Sequence, residues 1–321
     1  IRNRYPLPRI DDLFQQLQGA QWFSKLDFAN GYWQIEMAAE DIPKTAFTTR
    51  YGLFEWRVMP MGLASAPSTF QRAMHVLFHD LLDKGVIVYL DDVLIYSSSL
   101  EEHQRLLELV LRRLEEHKYF AAPSKCLFAQ KEIQFLGHIV SGDGIRPVQD
   151  KLESIRAWPR PQTVHDVRSF LGMCSFYRKF IRRFAHIAAP LHDLTKGNPK
   201  KRASIVWTDA CEAAFTALKE AMCQPPVLAL PDPTKPFVIH TDASNHALGA
   251  VLMQDHGDGL RALEYFSRKL HGAETHYDAR VREMLCIREA CRHWNHLLCN
   301  THTDIFSCLL YTSPSPRDAH E

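Results

Sequence analysis

Val86-Ile87-Val88-Tyr89-Leu90-Asp91-Asp92-Val93-Leu94-Ile95-Tyr96 is a β-branched and aromatic run with two adjacent aspartates at its centre. Its apolar flanks read as a pair of strands. Two neighbouring anions in such a run are costly unless something compensates them. A tight solvent-facing turn is one solution, but glycine and asparagine, which such a turn favours, are absent. A divalent cation is the other, because its charge makes ionised carboxylates favourable. Magnesium takes one or two protein carboxylates and keeps the rest of its shell for water and substrate phosphates. Two such ions ~4 Å apart can activate a hydroxyl and steady a leaving pyrophosphate. A third carboxylate then has to come from elsewhere. Asp27 qualifies, at the end of the apolar-aromatic stretch Trp22-Phe23-Ser24-Lys25-Leu26. On spacing alone, a strand-end aspartate is more often a helix cap.

Working outward, the pattern predicts a helix over 10–17, a strand over 22–26 and a strand or helix start over 32–37. It predicts a hairpin over 47–59 turning at Tyr51-Gly52, and a helix over 65–82 with Pro67 near its first turn. Ser99 and Glu102 have the spacing of a capping box. They open a long helix to about 118 with Leu106, Leu107, Val110, Leu111 and Leu114 as its apolar stripe. A further hairpin is expected over 133–145, turning through Ser141-Gly142-Asp143-Gly144. Helices then dominate 147–194, and 197–202 reads as a linker. A helix over 209–222 and a proline-rich connector over 225–236 lead to strands at 237–240, 248–254 and 263–267 and a helix over 278–298. The order is α+β, then all-α, then α/β.

The chain has 321 residues, 46% hydrophobic and 23% charged, which is globular composition. The net charge of +1 is silent about partners, but its distribution is not. Between 145 and 202 there are 13 Lys+Arg against 4 Asp+Glu. That excess fits either a solvated helical surface or a polyanion contact. No stretch approaches the ~18 apolar residues of a membrane span, and no signal peptide opens the chain. Eight cysteines without framework spacing suit a reducing compartment. Cys291, His293, His296 and Cys299 resemble a zinc set, but in a helical pattern they do not share one face. The start at Ile1 rather than methionine suggests a fragment or a processed piece.

Several ordered motifs carry a family resemblance. Tyr89-Leu90-Asp91-Asp92 resembles the signature of reverse transcriptases. Phe23-Ser24-Lys25-Leu26-Asp27 with Gly31-Tyr32-Trp33-Gln34-Ile35 resembles their first aspartate motif. The stretch from Met59-Pro60-Met61-Gly62 to Phe70-Gln71 resembles the motif between them, and Phe135-Leu136-Gly137-His138 resembles the primer grip. Arg168-Ser169-Phe170-Leu171-Gly172, Phe176-Tyr177-Arg178-Lys179-Phe180-Ile181 and Ala189-Pro190-Leu191 match the thumb of gypsy-type long-terminal-repeat retrotransposons. Thr241-Asp242-Ala243-Ser244 resembles the first carboxylate motif of ribonuclease H, with Glu283 at the place of the second.

The resemblance implies an α+β polymerase palm with partial fingers (1–145), an α-helical thumb (146–200), a connector (201–236) and a truncated ribonuclease H-like α/β domain (237–307). It implies RNA-directed DNA polymerisation on an RNA or DNA template with a DNA primer and dNTPs, beside other parts of a Pol polyprotein, without a membrane, in a cytoplasmic retroelement particle or the nucleus. Asp27, Asp91 and Asp92 are implied to hold two magnesium ions, with manganese as the alternative, and Asp242 and Glu283 to hold metal for hydrolysis. Tyr32, Met61 and Gly62 are implied to receive the nucleotide. The Tyr32 ring would clash with a 2′-hydroxyl, although by itself Tyr32 reads as a core aromatic. Arg178, Lys179, Arg182 and Arg183 are implied phosphate contacts. As isolated residues, Asp242 reads as a turn aspartate and Glu283 as a solvated helix glutamate.

Four departures accompany the match. Met61 stands where the retroviral branch has glutamine. The fingers segment that supplies Lys/Arg to the triphosphate is expected to be missing, each such contact being worth ~1.5–3 kcal/mol. No strand is expected before Asp304, so the third ribonuclease H carboxylate is not placed there. Residues 308–321 fit no part of the family and read as a foreign tail. The rival reading is a catalytically dead remnant that only binds nucleic acid, and a ribonuclease-only reading lacks its later carboxylates.

Overall fold

In the computed structural model, residues 5–197, 200, 203–299 and 301–307 are described. The expected foreign tail, 308–321, and part of the 197–202 linker lie outside the described residues. Two compact units divide the chain, Ile1–Gly142 and Asp143–Glu321.

The first unit contains α1 (Ile10–Gln15), β1 (Trp22–Asp27), β2 (Phe47–Thr49), β3 (Gly52–Phe54), α2 (Ala66–Leu77), β4 (Val86–Tyr89), β5 (Asp92–Ser97), α3 (Leu100–Glu116), β6 (Leu127–Gln130), β7 (Glu132–Phe135) and β8 (His138–Ser141). Its main sheet runs β4-β5-β1-β6, with antiparallel neighbours throughout. Alternation along the strands decides the two faces. Val86 and Val88 of β4, Val93 and Ile95 of β5 and Leu26 of β1 join Phe70, Met74, Phe78, Val110 and Leu114 in one buried core with α2 and α3. Asp92 and Asp27 occupy the alternate positions, so they project from the opposite face. A one-residue slip would drive both carboxylates into that core.

Several local expectations change in detail. Of the two alternatives at 32–37, the helix start is the one formed, as a 3-10 turn over 31–34. At the start of α3, Ser99 Oγ accepts from Glu102 N–H, but Glu102 Oε2 accepts from the N–H and hydroxyl of Ser98, so the expected box is only half made. Val110 and Leu114 of the expected stripe are buried, whereas Leu111 is 40% exposed and His103 is buried in the helix face instead. The turn expected at 141–144 is present at Gly142-Asp143, but a second turn precedes it. β7 and β8 meet across Leu136-Gly137, both at positive φ, as a tight two-residue turn.

The second unit contains β9 (Gly144–Pro147), α4 (Gln149–Arg156), α5 (Val164–Phe176), α6 (Phe184–Ile187), α7 (Ala189–Asp193), α8 (Asp209–Cys223), β10 (Phe237–Ala243), β11 (Ala247–Asp255), β12 (Leu260–Lys269), α9 (Ala279–His293), α10 (Asn295–Leu298) and β13 (Thr303–Ser307). Thr163 and Asp166 cap α5 reciprocally, and the rings of Phe170 and Phe215 join α5 to α8 at 4.7 Å. Ile145 and Leu228 exchange both backbone hydrogen bonds. Gly144, at φ +133°, permits that approach, because a Cβ there would lie 2.1 Å from the Leu228 carbonyl oxygen.

The sheet of this unit runs β12-β11-β10-β13, antiparallel except for the parallel pair β10–β13. A parallel neighbour needs a crossover, which α9 and α10 supply. The helix expected over 278–298 breaks at Trp294, whose fully buried indole donates to Glu264 Oε2 at 3.0 Å. No strand was expected before Asp304, which is the second residue of β13. Asp304 is the register partner of Val238, well along β10 from Asp242.

Candidate active site

β1 and β5 pair so that Asp27 and Asp92 are direct register partners. Both side chains are partly exposed, at 36% and 27%. The turn from β4 to β5 carries Asp91, exposed, immediately before Asp92. Leu90 in that turn has φ +56°, a left-handed conformation uncommon for a side chain of its size. The three aspartates nominated from sequence therefore gather at one end of the sheet, Asp27 and Asp92 on the face away from α2 and α3.

Two lysines balance this charge. Lys25 Nζ lies 2.8 Å from Asp92 Oδ1, and Lys125 Nζ lies 3.6 Å from Asp27 Oδ1. Lys25 is two residues before Asp27 on β1 and shares its face. Among the described residues, no three His, Cys, Asp or Glu side chains are ready-made to enclose a metal. Magnesium does not require that. It asks for one or two hard carboxylate oxygens per ion, and the Asp27–Asp92 pair with adjacent Asp91 fits that donor set.

Tyr32 sits in the 3-10 turn with its ring edge-on to Phe70, at 5.7 Å between centroids. Burial raises its hydroxyl pKa, and the Asp91 anion raises it further, which places Tyr32 in the field of the carboxylates. Gly31 makes this seating possible: a Cβ there would stand 3.2 Å from Phe28 Cβ and 3.3 Å from the Phe70 ring. Met61 is 62% exposed. Gly62 has φ +93° with open space around it, so glycine serves the backbone conformation there, not a close contact.

The expected primer-grip residues divide. Phe135 and His138 are buried, packed edge-on against Phe14 at 6.4 and 5.0 Å. His138 Nδ1 donates to the Leu136 carbonyl at 3.0 Å, bracing the turn. Leu136 and Gly137 alone stand at the tip, partly exposed.

In the second unit, Arg178 and Arg182 are exposed, and Lys179 lies 5.8 Å from the Phe180 ring centroid. Arg183 is engaged: its Nε lies 3.3 Å from Asp242 Oδ2. Arg182, Arg183, His240, Asp242 and Tyr265 border a shallow cleft of about 250 Å³. Glu283 is buried, contrary to the solvated helix glutamate its isolated sequence suggests. One carboxylate oxygen accepts from Ala243 N–H and the other from Ser307 Oγ, each at 3.0 Å. Asp242 and Glu283 thus share the β10 end but are already bonded to protein groups.

Sequence reading missed two contributors to the first site. Lys25 was quoted within a motif without a role, although its spacing from Asp27 puts it on the carboxylate face. Gln71 was likewise only the last letter of a motif, yet it is fully buried beside the carboxylate turn. Among the described residues, no helix is long and apolar enough to cross a membrane.

Residues 2–140 match the family described as reverse transcriptase (RNA-dependent DNA polymerase). Residues 207–305 match the RNase H-like domain found in reverse transcriptase. The chain is 42% identical over 300 residues to the retrovirus-related Pol polyprotein from transposon 297 of Drosophila melanogaster, covering 93% of this chain and 28% of that relative. It is 34% identical over 300 residues to the transposon Tf2-3 polyprotein of Schizosaccharomyces pombe, covering 93% of this chain and 22% of that protein. The chain thus spans about a quarter of the length of these relatives. Among solved structures, the foamy viral protease-reverse transcriptase in complex with RNA/DNA hybrid superposes with a TM-score of 0.81 at 22% identity, over 95% of this chain and 41% of that one. The foamy viral protease-reverse transcriptase dRH in complex with double-stranded DNA gives 0.85 at 22% identity, over 97% and 55%. The fold is therefore that of an α+β reverse transcriptase with an RNase H-like domain.

Proposed function

We propose that this chain, which belongs to the reverse transcriptases of retrotransposon Pol polyproteins and carries an RNase H-like domain after the polymerase part, catalyses RNA-directed DNA synthesis. One observation carries the reading: Asp27 and Asp92 are register partners beside the turn that bears Asp91. In this reading, residues 1–145 are fingers and palm, 146–200 the thumb, 201–236 the connector and 237–307 the ribonuclease H-like part. Its partners are an RNA or DNA template, a DNA primer, dNTPs and other parts of the polyprotein, within a cytoplasmic particle.

Asp27, Asp91 and Asp92 would hold magnesium, or manganese in its place, on their carboxylate oxygens. Bound metal would supply the positive charge that favours the deprotonated primer hydroxyl and the departing pyrophosphate. The reaction joins the primer 3′-oxygen to the α-phosphorus of a dNTP and breaks its bond to pyrophosphate. The chain's own contribution is position. The strand register fixes the separation of Asp27 and Asp92, and the β4–β5 turn fixes Asp91. Lys25 and Lys125 pair with Asp92 and Asp27 and would give way to a bound cation. Tyr32, braced by Phe70, presents a ring edge near Asp91 where a sugar would rest, with Met61 and Gly62 offering accessible surface for the nucleotide. Leu136 and Gly137 are the primer-grip residues available to touch a strand, with Phe135 and His138 supporting them from the core. Arg178, Lys179 and Arg182 would contact phosphates.

The ribonuclease H-like part is read as lacking hydrolytic activity in this chain, because Asp304 faces Val238, four residues along β10 from Asp242, and no third carboxylate joins Asp242 and Glu283 among the described residues. The test is primer extension on poly(rA)/oligo(dT) with magnesium, comparing the chain with an Asp91→Asn/Asp92→Asn variant. Extension that disappears in the variant supports the polymerase. Hybrid binding without extension in either protein would replace it with a nucleic-acid-binding remnant.

A further inference from the structure

The turn that carries Asp91 and Asp92 has an unusual backbone at Leu90, and something has to hold it there. β4 is an edge strand of its sheet. Along an edge strand, the carbonyl of one residue and the N–H two residues later point the same way, toward an absent neighbour. Here those groups are the Val88 carbonyl and the Leu90 N–H. The side chain of Gln71, from α2, meets both. Its Nε2 donates to Val88 O at 2.9 Å, and its Oε1 accepts from Leu90 N–H at 2.5 Å. A side-chain amide thus stands where the peptide of a further strand would be. Gln71 is completely buried, so water cannot take over either bond.

A second layer orients that amide. Gln71 Nε2 also lies 2.5 Å from His75 Nε2, one turn along α2. His75 also meets the Val88 carbonyl, and its Nδ1 lies 2.9 Å from Tyr5 Oη, so the amide is held from its outer side as well.

We infer that Gln71 is a positioning residue for the carboxylate turn: its amide locks Leu90 in the left-handed conformation and thereby aims Asp91 and Asp92 toward Asp27, with His75 and Tyr5 fixing the amide. The inference rests on the polymerase reading for its effect on turnover, but not for its effect on the turn. Gln71 touches no reacting atom. It acts through the backbone of Leu90.

The test uses Gln71→Met, which keeps the length and burial of the side chain and removes its hydrogen bonds to Val88, Leu90 and His75. Peptide-resolved hydrogen exchange on the full chain is read across residues 88–92 and, as a control, 93–97. The expected result is exchange at least tenfold faster in the turn, unchanged protection in the control, a tenfold or greater fall in extension kcat and unchanged affinity for primer-template. Weaker Mn2+ binding, followed by electron paramagnetic resonance, is expected alongside. Turn exchange and Mn2+ affinity equal to wild type would overturn the inference. If the control segment also loses protection, His75→Asn decides instead, since it removes only the outer support. It should speed exchange in the turn several-fold, and no change there would be equally fatal. A wild-type chain that extends nothing would remove the polymerase reading and leave the exchange experiment to judge Gln71 alone.

Discussion

Lys25 reaches Asp92 across the β1–β5 pair at 2.8 Å, on the face of the sheet where Asp27 and Asp92 stand opposite one another. The lysine comes from the same strand as Asp27 but pairs with the other carboxylate. Two facing anions are thereby neutralised by chain-borne cations, which a divalent metal would have to displace at Asp92.

This arrangement makes Lys25→Met informative. Without metal, the variant should lose up to ~1 kcal/mol of stability, the range for partly exposed ion pairs. With millimolar magnesium the loss should vanish, and Mn2+ should bind several-fold more tightly than to wild type. Thermal unfolding in chelator and in magnesium measures the first effect, and Mn2+ titration the second. Equal Mn2+ affinity in both proteins would show that Lys25 does not compete for the site.

In the second unit, Arg182 and Arg183 are adjacent but differently employed. Arg182 is exposed, while Arg183 is held by Asp242. Arg182→Ala should reduce the salt dependence of hybrid binding by about one phosphate contact, a slope change of ~0.9. Arg183→Ala should change it little. Asp242→Asn should release Arg183 and tighten hybrid binding at low salt. Binding titrations across a salt series distinguish these outcomes, and equal slope losses for both arginines would contradict the assignment.

His103 provides a pH dependence. Its ring is buried between Ser24 and Ser97, with Nε2 2.6 Å from Ser24 Oγ and Nδ1 2.9 Å from Ser97 Oγ. Burial lowers its pKa below the ordinary 6.5, and Glu102 offsets this only partly. The folded state therefore prefers the neutral ring, and the unfolded chain binds the proton first. Stability from this group is complete above pH 6.5 and falls as pH drops from there through the lowered folded value. Urea unfolding at pH 7.5, 6.5, 5.5 and 5 should show that decline, by ~1.4 kcal/mol for each unit by which the pKa is lowered. His103→Gln should decline more shallowly, with His75, also lowered by burial, supplying part of what remains. An unchanged slope in the variant would exclude His103 as the cause.

Local signals in the chain were strong where chemistry and backbone period coincide. The run around Asp91 and Asp92 reads as two strands interrupted by anions, and it forms β4 and β5. The alternation of 237–240 continues into β10. Three misreadings share one cause, since each depended on a neighbour distant in sequence. Phe135 and His138 were legible as a motif, but their burial comes from Phe14. Glu283 looked like a surface glutamate until β13 and the end of β10 supplied Ser307 and the Ala243 N–H. Leu111 fitted the helical stripe, but the core of α3 takes His103, because Ser24 and Ser97 satisfy its nitrogens.

The order of the motifs and the elements that bear Asp27, Asp91 and Asp92 could be read from the chain, because hydrophobic period, capping and turn chemistry act over a few residues. Tertiary packing alone brings Asp27 against Asp92, sets Lys25 on Asp92 and Lys125 on Asp27, and places the Gln71 amide where a further strand would serve Leu90. Those facts follow from strand register and helix docking, which are set by burying one face of the β4-β5-β1-β6 sheet against α2 and α3.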